Sequence, residues 1–155
     1  MTDDINKRIN YLEAIHEVTE LKYNYFEACD NNDVIKLKKC FSKNHVDIKY
    51  ENFGEFRSIE SMLKKYSQKS INSYQIESHY GKNPVFSHFK ENLINAYWGL
   101  DYLLIDMNKK CYQRISGCYK DLYIFEENNW VIRETHFKKN LDQIYFFQDE
   151  ILTLS

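Results

Sequence analysis

A chain of 155 residues and 18.8 kDa has room for one hydrophobic core, and 43% hydrophobic with 16% aromatic residues excludes a linker-rich or disordered polypeptide. Four glycines and one proline exclude collagen-like and turn-dense repeats, while 21 Lys and Arg against 23 Asp and Glu leave no basic excess for nucleic acid or an anionic membrane. The polar stretch Met1 to Asn10 lacks the apolar core of a secretion signal, and no apolar run is long enough for a bilayer, so a cytoplasmic location is expected.

Along the first thirty residues, Tyr11, Ile15, Val18, Leu21, Tyr25 and Cys29 recur at helical spacing, with Glu13, Glu17, Glu20, Asn24 and Glu27 mostly opposite. The pattern predicts an amphipathic helix facing a core. Ile5, Ile9 and Leu12 fall on a second stripe, which fits burial against a partner subunit. The run Asp30-Asn31-Asn32-Asp33 stops this helix, and Asp33 caps a second short helix carrying Val34, Leu37 and Phe41. A strand is expected near Val46 to Tyr50, then a turn at Gly54 and a third helix capped by Ser58, with Ile59, Met62, Leu63 and Tyr66 on one face.

From about residue 72 the chain changes character. Segments near Tyr74 to Tyr80, Val85 to Phe89, Leu93 to Asp106, Cys111 to Phe125 and Trp130 to Lys139 are rich in aromatic and β-branched residues. They predict an antiparallel meander of long strands. Leu141, Ile144, Tyr145, Gln148, Ile151 and Leu152 return to a rough helical period. The expected architecture is one α+β domain over residues 1–155: three N-terminal helices packed in a strongly curved antiparallel sheet, a cone-shaped α+β barrel. Residues 141–155 form a tail placed to cover its open end.

Cys29, Cys40, Cys111 and Cys118 have no Cys-x-x-Cys spacing, so buried free thiols are expected rather than a metal knuckle or a disulfide framework. His16, His45, His88 and His136 form no metal-ligand spacing, and no metal is expected.

The order helix, helix, strand, helix, then long strands resembles the SnoaL-like branch of the nuclear transport factor 2-like superfamily, whose relatives include polyketide cyclases, scytalone dehydratase and bile-acid 7α-dehydratase. The resemblance rests on Ala14-Ile15 through Tyr25-Phe26-Glu27-Ala28-Cys29-Asp30, on Ser78-His79-Tyr80-Gly81-Lys82-Asn83-Pro84, on Ala96-Tyr97-Trp98, and on Gly117 to Asp121 through Trp130 to Arg133. It implies catalytic roles for Tyr25, Asp30 and His79. The sequence departs from the dehydratase type in placing Tyr102 where a second Asp is expected on the middle strand, with Asp101 on the opposite face, and Lys139 where a late basic residue is otherwise Arg.

Tyr25 and Asp30 lie five residues apart, about 140° around an ideal helix, and converge only where the chain turns after Cys29. A carboxylate beside an imidazole fixes its tautomer, so Asp30 with His79 suits a general base, with Tyr25 as hydrogen-bond donor. Trp98, Tyr102, Phe137 and Lys139 are the candidate substrate-binding residues. The implied activity is a cofactor-independent lyase or isomerase acting on a small apolar hydroxycarbonyl or ring compound, in a homodimer. The alternative is a non-catalytic ligand-binding or dimerisation module of the same fold.

Overall fold

The computed structural model describes residues 2–51, 53–68, 74–90 and 92–148, without the side chains of Thr2 and His88. Helix α1 (Thr2–Asp30) is followed by α2 (Val34–Lys39), β1 (Asp47–Tyr50), β2 (Gly54–Phe56), α3 (Ile59–Gln68), β3 (Gln75–Lys90), β4 (Leu93–Asp106), β5 (Cys111–Glu126) and β6 (Asn129–Phe146). The strands form one sheet in the order β2-β1-β6-β5-β4-β3, antiparallel throughout except where β1 runs parallel to β6. Strands of 14 to 18 residues cannot stay flat. They coil, and their concave face takes the helices, as a cone-shaped α+β fold requires.

The chain order matches the sequence reading, with four differences. Tyr74 to Tyr80 and Val85 to Phe89 are one strand, β3, interrupted by a register shift between Lys82 and Val85 where Asn83 adopts φ 49° before Pro84. Proline is tolerated because β3 is an edge strand. Gly54 does not merely turn the chain but opens the short strand β2, at φ 140°. Residues 141–146 are not helical: β6 continues through them, pairing with β5 up to Phe146 opposite Cys111. The covering role expected of Ile151 and Leu152 lies outside the described residues. Finally, a bulge between Leu122 and Tyr123 on the β5–β6 ladder turns Ile132 and Thr135 inward, leaving His136 half-buried and facing away from Ile132, with which simple alternation grouped it.

Ala14, Val18, Tyr25, Phe26, Ala28 and Cys29 of α1 are buried, and Leu21 is half-buried, whereas Ile5, Ile9 and Leu12 are exposed in the single chain. Cys29, Cys40 and Cys111 are buried free thiols, and Cys118 is half-buried. A lysine also lies in the core. Lys22 is fully buried, its Nζ 2.7 Å from Asp121 Oδ2 and 3.7 Å from the centre of the Tyr119 ring. Tyr123 donates a hydrogen bond, 2.7 Å, to the same carboxylate oxygen. Burial lowers the Lys22 pKa and Asp121 opposes the shift. This ion pair joins α1 to β5.

Gly81 sets the approach of α1 to β3, because a Cβ there would lie 2.3 Å from Phe26 Cε2. Gly81→Ala is expected to displace the Phe26 ring and cost about 1–3 kcal/mol in urea denaturation. Lys22→Met leaves Asp121 buried without its cation, an expected loss of about 3–5 kcal/mol, most of which returns in Lys22→Met/Asp121→Leu. A single variant within 1 kcal/mol of wild type, roughly the error of such a comparison, would show that the pair does not anchor the helix.

Candidate active site

The site begins where α1 ends. Asn32 takes a left-handed conformation at φ 54°, Asp33 N–H donates to the Ala28 carbonyl, and Asp33 Oδ1 then caps α2 by accepting from Lys36 N–H at 2.8 Å. Tyr66 of α3 donates 2.8 Å to the Cys29 carbonyl, which also accepts the Asn32 N–H at 3.2 Å at the helix end. Asp30 is therefore held as the last helical residue rather than beyond the helix, as convergence with Tyr25 was expected to require.

Asp30 grips β3 twice. Its Oδ1 lies 2.5 Å from His79 Nδ1, and its Oδ2 accepts the His79 backbone N–H at 3.1 Å. With the carboxylate as acceptor, Nδ1 carries the proton and Nε2 keeps its lone pair. Phe26 stacks on the imidazole at 5.8 Å and Tyr102 packs on it at 4.7 Å between ring centres. Tyr102 stands directly opposite His79 in the β3–β4 register. The paired residues Asp30 and His79 are brought together as the sequence reading required.

A cavity of about 330 Å³ opens beside His79. Tyr25, Tyr102, Phe137 and Lys139 all line it, and Asp30 stands behind His79. Tyr25 meets Tyr50 hydroxyl to hydroxyl at 2.8 Å; burial, reinforced by Tyr119 and Tyr50, raises the Tyr25 pKa well above the ordinary phenol range. Its hydroxyl therefore stays protonated at neutral pH. Burial also pushes the Cys29 thiol up to about 12, so this cavity-wall sulfur is no nucleophile. Lys139 Nζ pairs with Asp142 at 2.6 Å, and Phe137 packs on Tyr119 at 4.7 Å. Asp101 points away, to Lys82 at 2.5 Å.

Trp98 is placed differently from the expectation. It is fully buried, edge-on to Phe86 and Tyr23, and is not part of the cavity wall. Its parity matches Tyr102, but four residues along a coiled strand carry it into the packed interior. Tyr50, Tyr66, Tyr119 and Glu77 are among the wall residues that were not expected in the site. Glu77 shares the face of His79 and is 6% exposed, and its proximity adds to the rise in the Tyr102 pKa that burial causes. The alternation Gln75, Glu77, His79 was the signal for it.

Among the described residues, Asp47, Glu134 and His136 form the one group with three potential metal-ligand atoms within 4.8 Å, outside the cavity wall. Asp47 is already engaged by Arg57 at 2.8 Å and Lys49 at 3.4 Å. His16 and His45 are exposed.

The profile of a family described as a SnoaL-like domain matches residues 10–136. No curated protein matches the sequence. Among solved structures, a hexachlorocyclohexane dehydrochlorinase, LinA type 2, superimposes with a TM-score of 0.80 at 14% identity, over 92% of this chain and 97% of that one. A putative scytalone dehydratase from Novosphingobium aromaticivorans gives 0.79 at 15% identity, over 96% and 94%. A nuclear transport factor 2-like superfamily protein from Salmonella enterica serovar Typhimurium gives 0.71 at 16%, over 80% and 89%. At these identities the likeness is one of fold.

Asp30→Ala removes both bonds to His79, and the partly exposed pair is expected to contribute about 1–2 kcal/mol. Asp30→Asn, which keeps an acceptor oxygen, should lose less. Equal losses in thermal unfolding would show that the bonds to β3 contribute nothing.

Proposed function

The chain belongs to the SnoaL-like domain family, and from that premise we propose that it is a cofactor-independent lyase or isomerase acting on a small, largely apolar hydroxycarbonyl or ring compound. The contact of Asp30 with His79 beside the cavity carries this reading. In it, His79 Nε2 takes a proton from the carbon next to a carbonyl. The C–H electron pair becomes a C=C bond, and charge moves onto the carbonyl oxygen.

The Tyr25 and Tyr50 hydroxyls, 2.8 Å apart, face that oxygen as a pair: one donates to the other, and the second proton is available to the ligand. When the enolate collapses, its electrons expel a hydroxyl on the neighbouring carbon, which takes the proton held by the imidazolium and departs as water. If the imidazolium instead returns the proton to another carbon, the double bond has moved. Dehydration and isomerisation thus share the first step, and each balances with protein groups alone. Lys139 and Phe137 shape the far wall.

Tyr102, where the dehydratase type resembled by the sequence has an Asp, favours a second reading, a ligand-binding or dimerisation module that keeps the cavity without the reaction. The two differ in one measurement. A panel of cyclic ketones and β-hydroxyketones in D₂O, followed by proton NMR, should show enzyme-dependent deuteration at the α-carbon. The rate is expected to fall about 10²- to 10⁴-fold in His79→Ala. Binding without deuteration by wild-type protein would leave the module reading.

A further inference from the structure

The outer face of the sheet is built in rows. Lys49 of β1, His136 of β6, Lys120 of β5 and Tyr97 of β4 stand opposite one another in the strand register, so their side chains share one face. Cys118 and Lys138, two residues along, form the next row on that face, and no register shift separates the two rows. With the β1–β2 hairpin and Lys65 of α3, these residues bound a groove of about 810 Å³, within the range of small-molecule sites. Tyr97, Lys120 and Lys138 do not border the cavity at His79.

Lys49, Lys65, Lys120, His136 and Lys138 line this groove against Glu51 and Glu55. Some of these cations are engaged: Lys49 pairs with Asp47 at 3.4 Å, His136 Nε2 lies 3.1 Å from the same carboxylate, and Lys65 donates to the Phe53 carbonyl. Both wall carboxylates belong to the hairpin side, where Glu51 accepts the Lys139 backbone N–H at 2.7 Å and Glu55 is the register partner of Lys49. Lys120 and Lys138 are exposed, and neither has a carboxylate partner among the described residues. Adjacent strands set them one diagonal apart, about 7–8 Å between backbones, where two ammonium groups repel.

A dianion between them removes that repulsion, whereas a carboxylate offers one charge to two lysines. A phosphate monoester carries close to two negative charges at neutral pH and suits lysines, which act as point charges rather than planar forks. Tyr97 supplies a flat surface beside them: it is 40% exposed, with Lys120 Nζ 5.6 Å from its ring centre. We propose that this groove binds a small organic phosphate, with the phosphate between Lys120 and Lys138 and an aromatic ring of the ligand against Tyr97. The site stands whether or not the cavity is catalytic.

The test titrates phenyl phosphate, benzoate and inorganic phosphate against the full chain at low salt, followed by nitrogen-15 amide NMR. Phenyl phosphate is expected to bind about tenfold tighter than benzoate, which has the ring but one charge, and at least about threefold tighter than inorganic phosphate, which lacks the ring. Its amide shifts should centre on Tyr97, Lys120 and Lys138. Lys120→Gln/Lys138→Gln is expected to weaken it at least about tenfold, while Lys39→Gln, at an exposed lysine of α2, leaves it unchanged. Either comparator binding as tightly as phenyl phosphate would overturn the proposal, as would no binding up to about 20 mM or shifts confined to Tyr25, His79 and Tyr102. So would an undiminished affinity in the double variant, or an equal loss in Lys39→Gln. If the double variant does not fold, the wild-type comparison and the shift map decide.

Discussion

One carboxylate at the end of a long helix organises the candidate site. Asp30 sits at the negative end of the α1 dipole, an unfavourable place for an anion, and no basic residue occupies the last turn of α1. What compensates it is β3, through the His79 backbone N–H and imidazole together. The helix end and the strand hold each other, and the imidazole is fixed at Nδ1 while its other nitrogen is left for chemistry.

That contact depends on how far α1 penetrates the sheet. Two features set the depth: the buried Lys22–Asp121 pair ties the helix to β5, and Gly81 lets Phe26 approach β3 within a distance no side chain would allow. Two polar layers follow within one apolar interior. The Lys22, Asp121 and Tyr123 layer is closed to solvent and structural, whereas the Tyr25 and Tyr50 hydroxyls meet at the cavity wall, where a ligand can reach them. Keeping them distinct explains how one helix supplies both a core cation and the carboxylate that holds His79.

Much of this was legible in the sequence. Turn residues bounded β4 and β5 closely, and the stop after Cys29 placed Asp30 beside His79 once the resemblance was recognised. Lys22 was not legible, because a lysine on an apolar stripe reads as solvent-facing until its partner, 99 positions away at Asp121, is known. Pro84 broke β3 in the reading because local rules do not say which strand is an edge. The end of β6 was missed since a short amphipathic run fits both periods, and pairing with β5 decides it. Trp98 was assigned to the cavity by parity, which identifies a face but not the depth along a curved strand. Tyr50 and Tyr119 reach the cavity through coiling of the sheet, a global property.

In the proposed reaction Asp30 presents His79 to the cavity as a base with a fixed tautomer. Nitrogen-15 NMR of the His79 imidazole, at a pH where the ring is neutral, tests it without any substrate. A protonated Nδ1 with an unprotonated Nε2 is the predicted result. The opposite tautomer, or the averaged signals of a freely exchanging ring, would contradict the account.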